Sequence, residues 1–584
     1  MSRLTFDEQT WLARLRLDRS RRAAVARVNR SLLLRWRYGA PVADNLLIIP
    51  QELRAGDPSF AGEIEFGHFG LGGWVASLDD ESPFAIEPPS KAWARELHGF
   101  GWLRHLQAAG SDAARASARA LVADWRRLHA RHSGLAWEPA VTGRRLISWI
   151  VNAPLLLDGV DDATFDAITD SLGDQLIHLS ATWPGAPDGY PRLLALTALL
   201  MGELCIAGHE HKLDEVEAGF AGELDRQIVS DGGHVSRNPE VPIELLLDFL
   251  PLRQCYASRD RGTPAALDAA IARMLLMIRF MRLGDGRLCR FNGVSASGID
   301  AQSAVLAYDS APEGRLERAP SSAYVRAERG GTVVILDAGG PPPLEQAGTA
   351  HAGCLSFEMS TGAHAIFVNC GAPPSPDSEW AASARATASH NTLCLCGQSS
   401  SKLVRHPLLE SLLGAAPIRF PDDVKCSVID HADGGIEIGA SHDGYVQRFA
   451  LVHSRRLVLS ADGRRLSGHD RIASRRGPLR LTQDLPFAIH FHLDTDVVCV
   501  AGKTGRNTDL KLKDGSRWRL SVEGAVPSIE DSLRFALAGP IQARQVVLRG
   551  ATFGETEVRW VVEKCTDDPG PRYPSLAIDE SVSA

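Results

Sequence analysis

The spacing of apolar residues changes near residue 310, and this change constrains the fold more than any other feature of the sequence. Before it, apolar residues recur with the 3.6-residue period of an amphipathic helix, as in the stripe Leu267, Ile271, Met274 and Ile278. Residues 193–207 are apolar nearly all round, which is typical of a helix in the inner ring of a helical barrel. Further helices are predicted at roughly 8–38, 91–107, 111–132, 141–156, 162–180, 212–229 and 240–256.

After about residue 320 the period is two, which indicates β-strands. Leu510 and Leu512 alternate with lysines, Asp514-Gly515 forms a turn, and residues 517–522 alternate again, which predicts a hairpin. Further strands are predicted within 332–340, 364–371, 391–397, 455–468, 487–493 and 557–563. A helical half followed by an all-β half indicates two separately packed domains rather than alternating β-α units. We place them at residues 1–315 and 316–572, with a loose tail at 573–584.

Composition excludes several classes of protein. The chain has 584 residues, a net charge of −8 and no long basic run, so nucleic acid is not expected as a partner. We expect no membrane association, because no apolar stretch is long enough to span a bilayer and the N-terminus lacks the apolar core of a secretory signal. The ten cysteines form no CxxC pair, which favours reduced thiols and a cytoplasmic protein.

Polar clusters precede two of the predicted helices. The first, residues 188–192, contains Tyr190 and Arg192; the second, residues 231–240, contains His234, Arg237 and Asn238. A tyrosine–histidine pair can move protons, and arginine or asparagine can neutralise a carboxylate at the mouth of a helical barrel. The structural alternative is a capped turn, with Asn238 or Ser236 as the cap and Arg237 in an ion pair.

The β half has a third polar cluster. Two histidines from separate segments, His351 and His390, can hold a metal ion, with Asn369 as an oxygen ligand. The alternative is two histidines hydrogen-bonded in a polar interior. Asn292 is a turn residue by default and otherwise a candidate to bind substrate. Trp137 can stack on a sugar ring, although tryptophan more often lies in the core.

These residues resemble a known family. The segments HAGCLSFE (351–358), FVNCG (367–371) and ARATASHNTLCLCG (384–397) resemble the C-terminal domain of heparinase II/III-like polysaccharide lyases. Upstream, Trp137-Glu138-Pro139 with Gly143-Arg144-Arg145 and Trp149 resembles a helix of the family's N-terminal domain. The resemblance implies an incomplete (α/α) toroid followed by an antiparallel β-sandwich. Within the family, the chain looks like a bacterial branch without a signal peptide.

The resemblance also implies chemistry. The family cleaves uronic-acid polysaccharides by β-elimination, with tyrosine and histidine as acid and base. It also implies one divalent metal ion, zinc or calcium, which here corresponds to His351, Asn369 and His390.

The chain departs from the family pattern at four places. Asn369 replaces the usual aspartate ligand, and Pro191-Arg192 replaces an Asn-His pair. Val241 lies near the tyrosine position, and Thr349 lies where a histidine is usual.

Three functions follow as hypotheses. The first is a lyase for an acidic poly- or oligosaccharide. In it, Tyr190 and His234 transfer protons, Arg237 and Asn238 neutralise the carboxylate, and Arg192, Asn292 and Trp137 bind the sugar. In this case His234→Ala and Arg237→Ala would each lower turnover at least about 100-fold in a folded protein. The second is a non-catalytic glycan-binding or assembly protein. The third is a glycoside hydrolase that uses two of Asp188, Asp231 and Glu240. The oligomeric state is left open.

Overall fold

The structure is a computed structural model. It describes residues 4–29, 43, 45–78, 81–296, 299–309, 314–376, 378–413, 415–419, 421–475, 477, 483–503 and 505–565. The end of the helix predicted at 8–38 and the predicted tail at 573–584 lie outside these ranges.

The first half is helical, as predicted, apart from one short hairpin. Its helices are α1 (Phe6–Asn29), α2 (Ser59–Glu65), α3 (Lys91–Gly99), α4 (Leu103–Ala109), α5 (Asp112–Leu128), α6 (Pro139–Val151), α7 (Ala153–Leu157), α8 (Asp162–Thr182), α9 (Tyr190–Cys205), α10 (Leu213–Gln227), α11 (Val241–Ser258), α12 (Ala265–Phe280) and α13 (Ile299–Leu306). The hairpin is formed by β1 (His68–Leu71) and β2 (Trp74–Ser77).

Helix α9 lies at the centre of this half, which forms an incomplete (α/α) toroid. Every residue from Leu193 to Cys205 is buried, and the helix packs against α6, α10 and α11. Gly143 allows α6 to approach α9 closely, because a Cβ atom there would lie 3.3 Å from the Ala195 Cα atom. The glycine of the Gly-Arg-Arg motif therefore has a packing role between α6 and α9.

The second half consists of antiparallel sheets. Its strands are β3 (Tyr324–Arg329), β4 (Thr332–Asp337), β5 (Phe357–Thr361), β6 (His364–Phe367), β7 (Leu393–Leu395), β8 (Lys402–Leu403), β9 (Ile418–Arg419), β10 (Val424–Asp430), β11 (Ile436–His442), β12 (Leu451–Leu459), β13 (Arg465–Ser474), β14 (Leu485–His492), β15 (Val498–Ala501), β16 (Asn507–Lys511), β17 (Arg517–Glu523), β18 (Val526–Ala536), β19 (Gly539–Thr552) and β20 (Thr556–Lys564). Three short helices connect them: α14 (Ala381–Ala384), α15 (Pro407–Leu413) and α16 (Val446–Phe449).

These strands form a β-sandwich. One sheet has the order β10-β11-β12-β13-β20-β17-β16-β15, and two four-stranded sheets have the orders β18-β19-β14-β7 and β3-β4-β5-β6. The predicted hairpin is confirmed, with Leu510 opposite Trp518 in β16 and β17. Leu510, Trp518 and Leu520 point into the core, and burial of such apolar surface is the main favourable contribution to folding.

The two halves meet between helix α13, which ends at Leu306, and strand β3, which begins at Tyr324. The predicted boundary between residues 315 and 316 lies in this interval, and it stays a prediction. Within the described ranges, no helix is both long and apolar enough to cross a bilayer.

Candidate functional site

Arg237 joins the two halves of the molecule. It has a positive φ of 59° in the loop before α11, and its guanidinium reaches across to the β half. It forms an ion pair with Asp337, which is 2% exposed, and donates hydrogen bonds to the carbonyl oxygens of Ser322 (3.0 Å) and Gly340 (2.8 Å). Burial opposes its charge, but the Asp337 carboxylate outweighs burial and raises the pKa of Arg237. The side chain is only 10% exposed.

Asn292 extends this network to the histidine pair. Its Nδ2 atom donates to the Tyr324 hydroxyl (2.8 Å) and the Asp337 carboxylate (3.1 Å), and its Oδ1 atom accepts from the His351 backbone N–H (3.2 Å). Asn292 has a positive φ of 47°, which asparagine tolerates better than most residues. The structure thus brings together three predicted site residues, Arg237, Asn292 and His351, around a buried aspartate.

His234 lies in a separate hydrogen-bonded pocket. Its side chain is 2% exposed; Nδ1 lies 2.7 Å from the Ser236 hydroxyl and Nε2 lies 3.1 Å from Gln227 Oε1. Burial lowers the pKa of His234 to about 4, so the ring is neutral at pH 7. Both ring nitrogens are therefore used within the protein.

His234 gives a prediction for stability against pH. The unfolded chain binds a proton at this histidine below about pH 6.5, whereas the folded protein does so only below about pH 4. We expect the contribution of His234 to the free energy of unfolding to be constant above about pH 6.5. As the pH is lowered from 6.5 to 4, the contribution should fall by about 1.4 kcal/mol per pH unit. Urea unfolding at several pH values, with His234→Gln beside the unchanged protein, measures this slope. His68→Gln, which removes an exposed histidine, is the control; an equal slope in all three proteins contradicts the prediction.

Tyr190 begins helix α9 and is half-buried. Its hydroxyl accepts a hydrogen bond from Arg144 Nη2 (2.9 Å), and Arg144 also binds both Asp248 oxygens at 2.8 Å. Arg54 donates to the same carboxylate (2.9 Å). Burial raises the pKa of Tyr190 despite the neighbouring arginine, so the phenol keeps its proton at neutral pH.

Arg192 and Asp188 belong to an ion-pair network beside His234. Arg192 binds Glu223 (3.1 Å) and lies 3.3 Å from Asp188, which also pairs with Arg226. Gln346 of the β half donates to Asp188 (3.0 Å), and a Cβ atom on Gly189 would lie 2.1 Å from the Gln346 side-chain oxygen. The loop before α9 is thus packed against the β half.

The remaining predicted site residues, including the two carboxylates Asp231 and Glu240, also have hydrogen-bond partners within the protein. Asn238 accepts a hydrogen bond from the Glu240 backbone N–H (2.9 Å), which closes a turn before α11. The predicted cap is wrong, because the N-cap residue of α11 is Glu240 and no side chain caps the helix. Trp137 is 6% exposed and lies in the core of the helical half, where Nε1 donates to the His129 carbonyl. Asp231 accepts from Ser321 and Ser322, and Glu240 accepts from Ser295. The functional roles of these residues stay predictions.

The predicted metal ligands are buried close together. His390 Nδ1 donates to the Ala386 carbonyl (2.8 Å), so its neutral ring presents a lone pair at Nε2, and His351 Nδ1 lies 3.0 Å from that atom. A metal ion would need the lone pair that this hydrogen bond uses. Asn369 Oδ1 already accepts from the Asn391 backbone N–H (2.8 Å), and the amide brings no charge. In the described part of the chain, no group of three or more His, Cys, Asp or Glu residues is arranged to hold a metal.

The hydrogen-bonded pair and a metal-bound form therefore exclude each other. Metal binding stays a prediction, and elemental analysis of the purified protein tests it.

Two buried aspartates that are not among the predicted site residues hold these networks together. Asp248 holds Arg54 and Arg144, and Asp337 holds Arg237 and Asn292. The available signal was a lone acidic residue in an apolar run, LLLDFL for Asp248 and VVILDAGG for Asp337. A buried carboxylate requires a partner, so such a residue indicates a buried ion pair.

A helical toroid joined to a β-sandwich through a polar interface is the fold of the two-domain polysaccharide lyases. The family model "Heparinase II/III-like, C-terminal" matches residues 311–561. Heparan sulfate lyase HepC (mutant) from Pedobacter heparinus superposes with a TM-score of 0.60 and 15% identity, over 95% of this chain and 88% of that one. A structure of heparinase III gives a TM-score of 0.64 and 12% identity, over 84% and 80%. These structures show the fold.

A curated relative is similar over nearly the whole sequence. FtsZ-localized protein C of Caulobacter vibrioides (strain NA1000 / CB15N) is 30% identical over 543 residues, which cover 91% of this chain and 92% of the relative. The chain belongs to the heparinase II/III-like family.

Proposed function

We propose that this chain is a non-catalytic assembly protein built on the polysaccharide-lyase fold, and that it works with FtsZ. One observation carries the proposal: the side chains that would transfer protons in an elimination are held by internal hydrogen bonds. His234 uses both ring nitrogens, and the Tyr190 hydroxyl is bound by Arg144. A general acid or base has to exchange its proton with the substrate, directly or through one water molecule, whereas these side chains bind groups of the protein.

The interface between the halves supports the same proposal. Arg237, the candidate to neutralise a substrate carboxylate, is paired with Asp337 and two backbone carbonyls. Gly293 packs against Thr349, because a Cβ atom there would lie 3.0 Å from the threonine Cβ. Residues that would line a catalytic cleft therefore hold the two halves together.

The partner is proposed from the relative. The Caulobacter protein is named for its localisation with FtsZ, and the similarity extends over both halves of the chain. A cytoplasmic location belongs to this proposal and is consistent with the free thiols of all ten cysteines.

A second candidate is a lyase for an acidic, uronic-acid-containing oligosaccharide. The fold shared with heparan sulfate lyase favours it, and so do Tyr190 and Arg144, which are only half-buried near the start of α9. Fold alone is a weak warrant for activity, so we rank this candidate second.

One experiment separates the two candidates. We expect no rise in absorbance at about 230–235 nm when the protein is mixed with uronic-acid polysaccharides and their short oligosaccharides, with or without divalent metal, since no conjugated double bond forms. We expect the same protein to co-sediment with FtsZ polymers. A rise that Tyr190→Phe abolishes would establish the lyase, and loss of co-sedimentation would remove the proposed partner.

A further inference from the structure

A large groove lies between the outer edges of two strands, beside the interface described above, with which it shares Ala323 and Tyr324. Strand β3 is at the edge of one four-stranded sheet, and β10 is at the edge of the eight-stranded sheet. The cavity between them has a volume of about 1220 Å³ and is bounded on another side by the end of α12. This volume is large enough for a peptide segment rather than a single small molecule.

The groove is basic, although the chain as a whole carries a net charge of −8. Three acidic residues line it, Glu317, Glu328 and Asp430, against six arginines. The arginines are Arg279, Arg282, Arg315, Arg318, Arg326 and Arg329. A local excess of positive charge attracts an acidic partner and rejects a basic one.

The arginines differ in how far they are engaged. Arg279, Arg326 and Arg329 bind acidic side chains or carbonyl groups of the protein, which holds the walls in place. Arg315 is exposed, and Arg318 is 63% exposed with its nearest carboxylate, Asp430, at 4.0 Å. These two side chains are free to turn toward a ligand at little cost, because such distant, exposed pairs contribute little.

In the described part of the chain, no strand pairs with the outer edge of β10. Strand β10 pairs with β11 over seven residues in regular register, from Val424 opposite His442 to Asp430 opposite Ile436. Its sequence, VKCSVID, contains no proline and a single lysine, and the pairing has no bulge. Natural proteins usually protect exposed edges with prolines, several charged side chains or β-bulges. The other long edge strand, β18, has Pro527 near its start and lies against β15.

The side chains beside this edge suit an extended peptide. Val325, Val424 and Val428 are half-buried and pack against the sandwich core, so they give the groove an apolar floor. Cys426 and Ile429 on β10 are exposed, and Ile429 is 51% exposed. In strand addition, main-chain hydrogen bonds along the edge supply affinity and the side chains beside it supply specificity, which here favour a partly apolar, acidic segment.

We infer that this groove binds an extended, acidic segment of the partner, which adds to the free edge of β10 as a further strand. The inference rests on the proposed function, since it concerns how the assembly partner is held. A second copy of this chain is a poorer occupant, because two-fold pairing of β10 edges would bring the same arginines together.

The test compares binding of purified FtsZ to two charge-reversal variants. The double variant Arg315→Glu/Arg318→Glu reverses the charge of the two exposed arginines in the groove. Arg456→Glu/Arg465→Glu is the matched control on the outer face of the eight-stranded sheet, where the side chains are 57% and 54% exposed. We expect at least about a tenfold loss of affinity for the groove variant and less than about a twofold change for the control. Circular dichroism and the urea midpoint check that both variants are folded.

A second readout is specific to strand addition. We expect FtsZ to slow hydrogen exchange at the backbone amides of residues 424–430 and to protect Cys426 from a maleimide reagent, because a new strand would cover this edge. The inference would be overturned if FtsZ bound the unchanged protein and the groove variant with equal affinity and did not protect residues 424–430. The proposed function would remain intact in that case.

Two other results would also overturn the inference. If FtsZ does not bind the unchanged protein at all, the proposed function falls and the groove assignment falls with it. If analytical ultracentrifugation shows a dimer that Arg315→Glu/Arg318→Glu dissociates, the occupant is a second copy of the chain.

Discussion

Replacing Asp470 with asparagine is expected to lower the free energy of unfolding of the β half by about 3–5 kcal/mol. Asp470 is fully buried and accepts hydrogen bonds from Arg455 Nε (2.8 Å), His453 Nε2 (2.7 Å) and Trp560 Nε1 (2.8 Å). Asparagine keeps the shape but removes the charge, so the buried Arg455 guanidinium loses its counter-ion. Urea unfolding followed by far-UV circular dichroism measures the change.

Asp509→Asn is the matched control, since it removes a carboxylate from an exposed pair on the same domain. Asp509 binds Arg519 Nε at 2.7 Å, and both side chains are close to half exposed. We expect a change below about 1 kcal/mol. Equal midpoints for the two variants would mean that the buried network does not stabilise the domain.

The Asp470 effect also depends on pH. Burial opposes its charge, but Arg455 and His453 outweigh burial and hold the pKa of Asp470 well below its ordinary value. The stabilisation is complete above the unfolded-state pKa of about 3.9 and is lost as the pH falls toward the folded-state value. The difference in stability between Asp470→Asn and the unchanged protein should therefore shrink below about pH 3.9.

This network also explains the segment that most resembles the family. Arg455 Nη1 donates to the backbone carbonyls of Leu355 and Asn391, each at 2.7 Å. Asn391 in turn binds the Phe357 carbonyl and the His492 backbone N–H. The histidine- and asparagine-rich stretch is thus tied into the sandwich core. These contacts give the segment a structural role in the fold that this chain shares with the lyases.

The fold could be predicted from the sequence because its signals are local. The apolar character of α9 and the alternation in β16 and β17 depend on residues within one element. Site contacts are different, because they join distant parts of the chain. Arg237 and Asp337 are 100 residues apart, and Arg144 and Asp248 are 104 apart. The residue types indicated polar, functional side chains; only the tertiary structure shows that their partners belong to the protein itself.

Arg237 provides the clearest distinction between a catalytic and a structural role. We expect Arg237→Ala to lower the free energy of unfolding by about 3–5 kcal/mol, because it leaves the buried Asp337 carboxylate without a counter-ion. The carbonyls of Ser322 and Gly340 also lose their donor, and the guanidinium no longer lies over the Tyr324 ring at 4.9 Å. Urea unfolding measures the change.

Arg237→Lys is the informative companion variant. Lysine restores a positive charge but has no planar fork to reach the carboxylate and two carbonyls at once, so we expect it to recover less than half of the lost stability. An elimination mechanism gives the opposite pattern: Arg237→Ala stays as stable as the unchanged protein and loses turnover on an acidic sugar. Such a result would return Arg237 to the substrate site, whereas unfolding at lower urea concentration assigns it to the interface between the two halves.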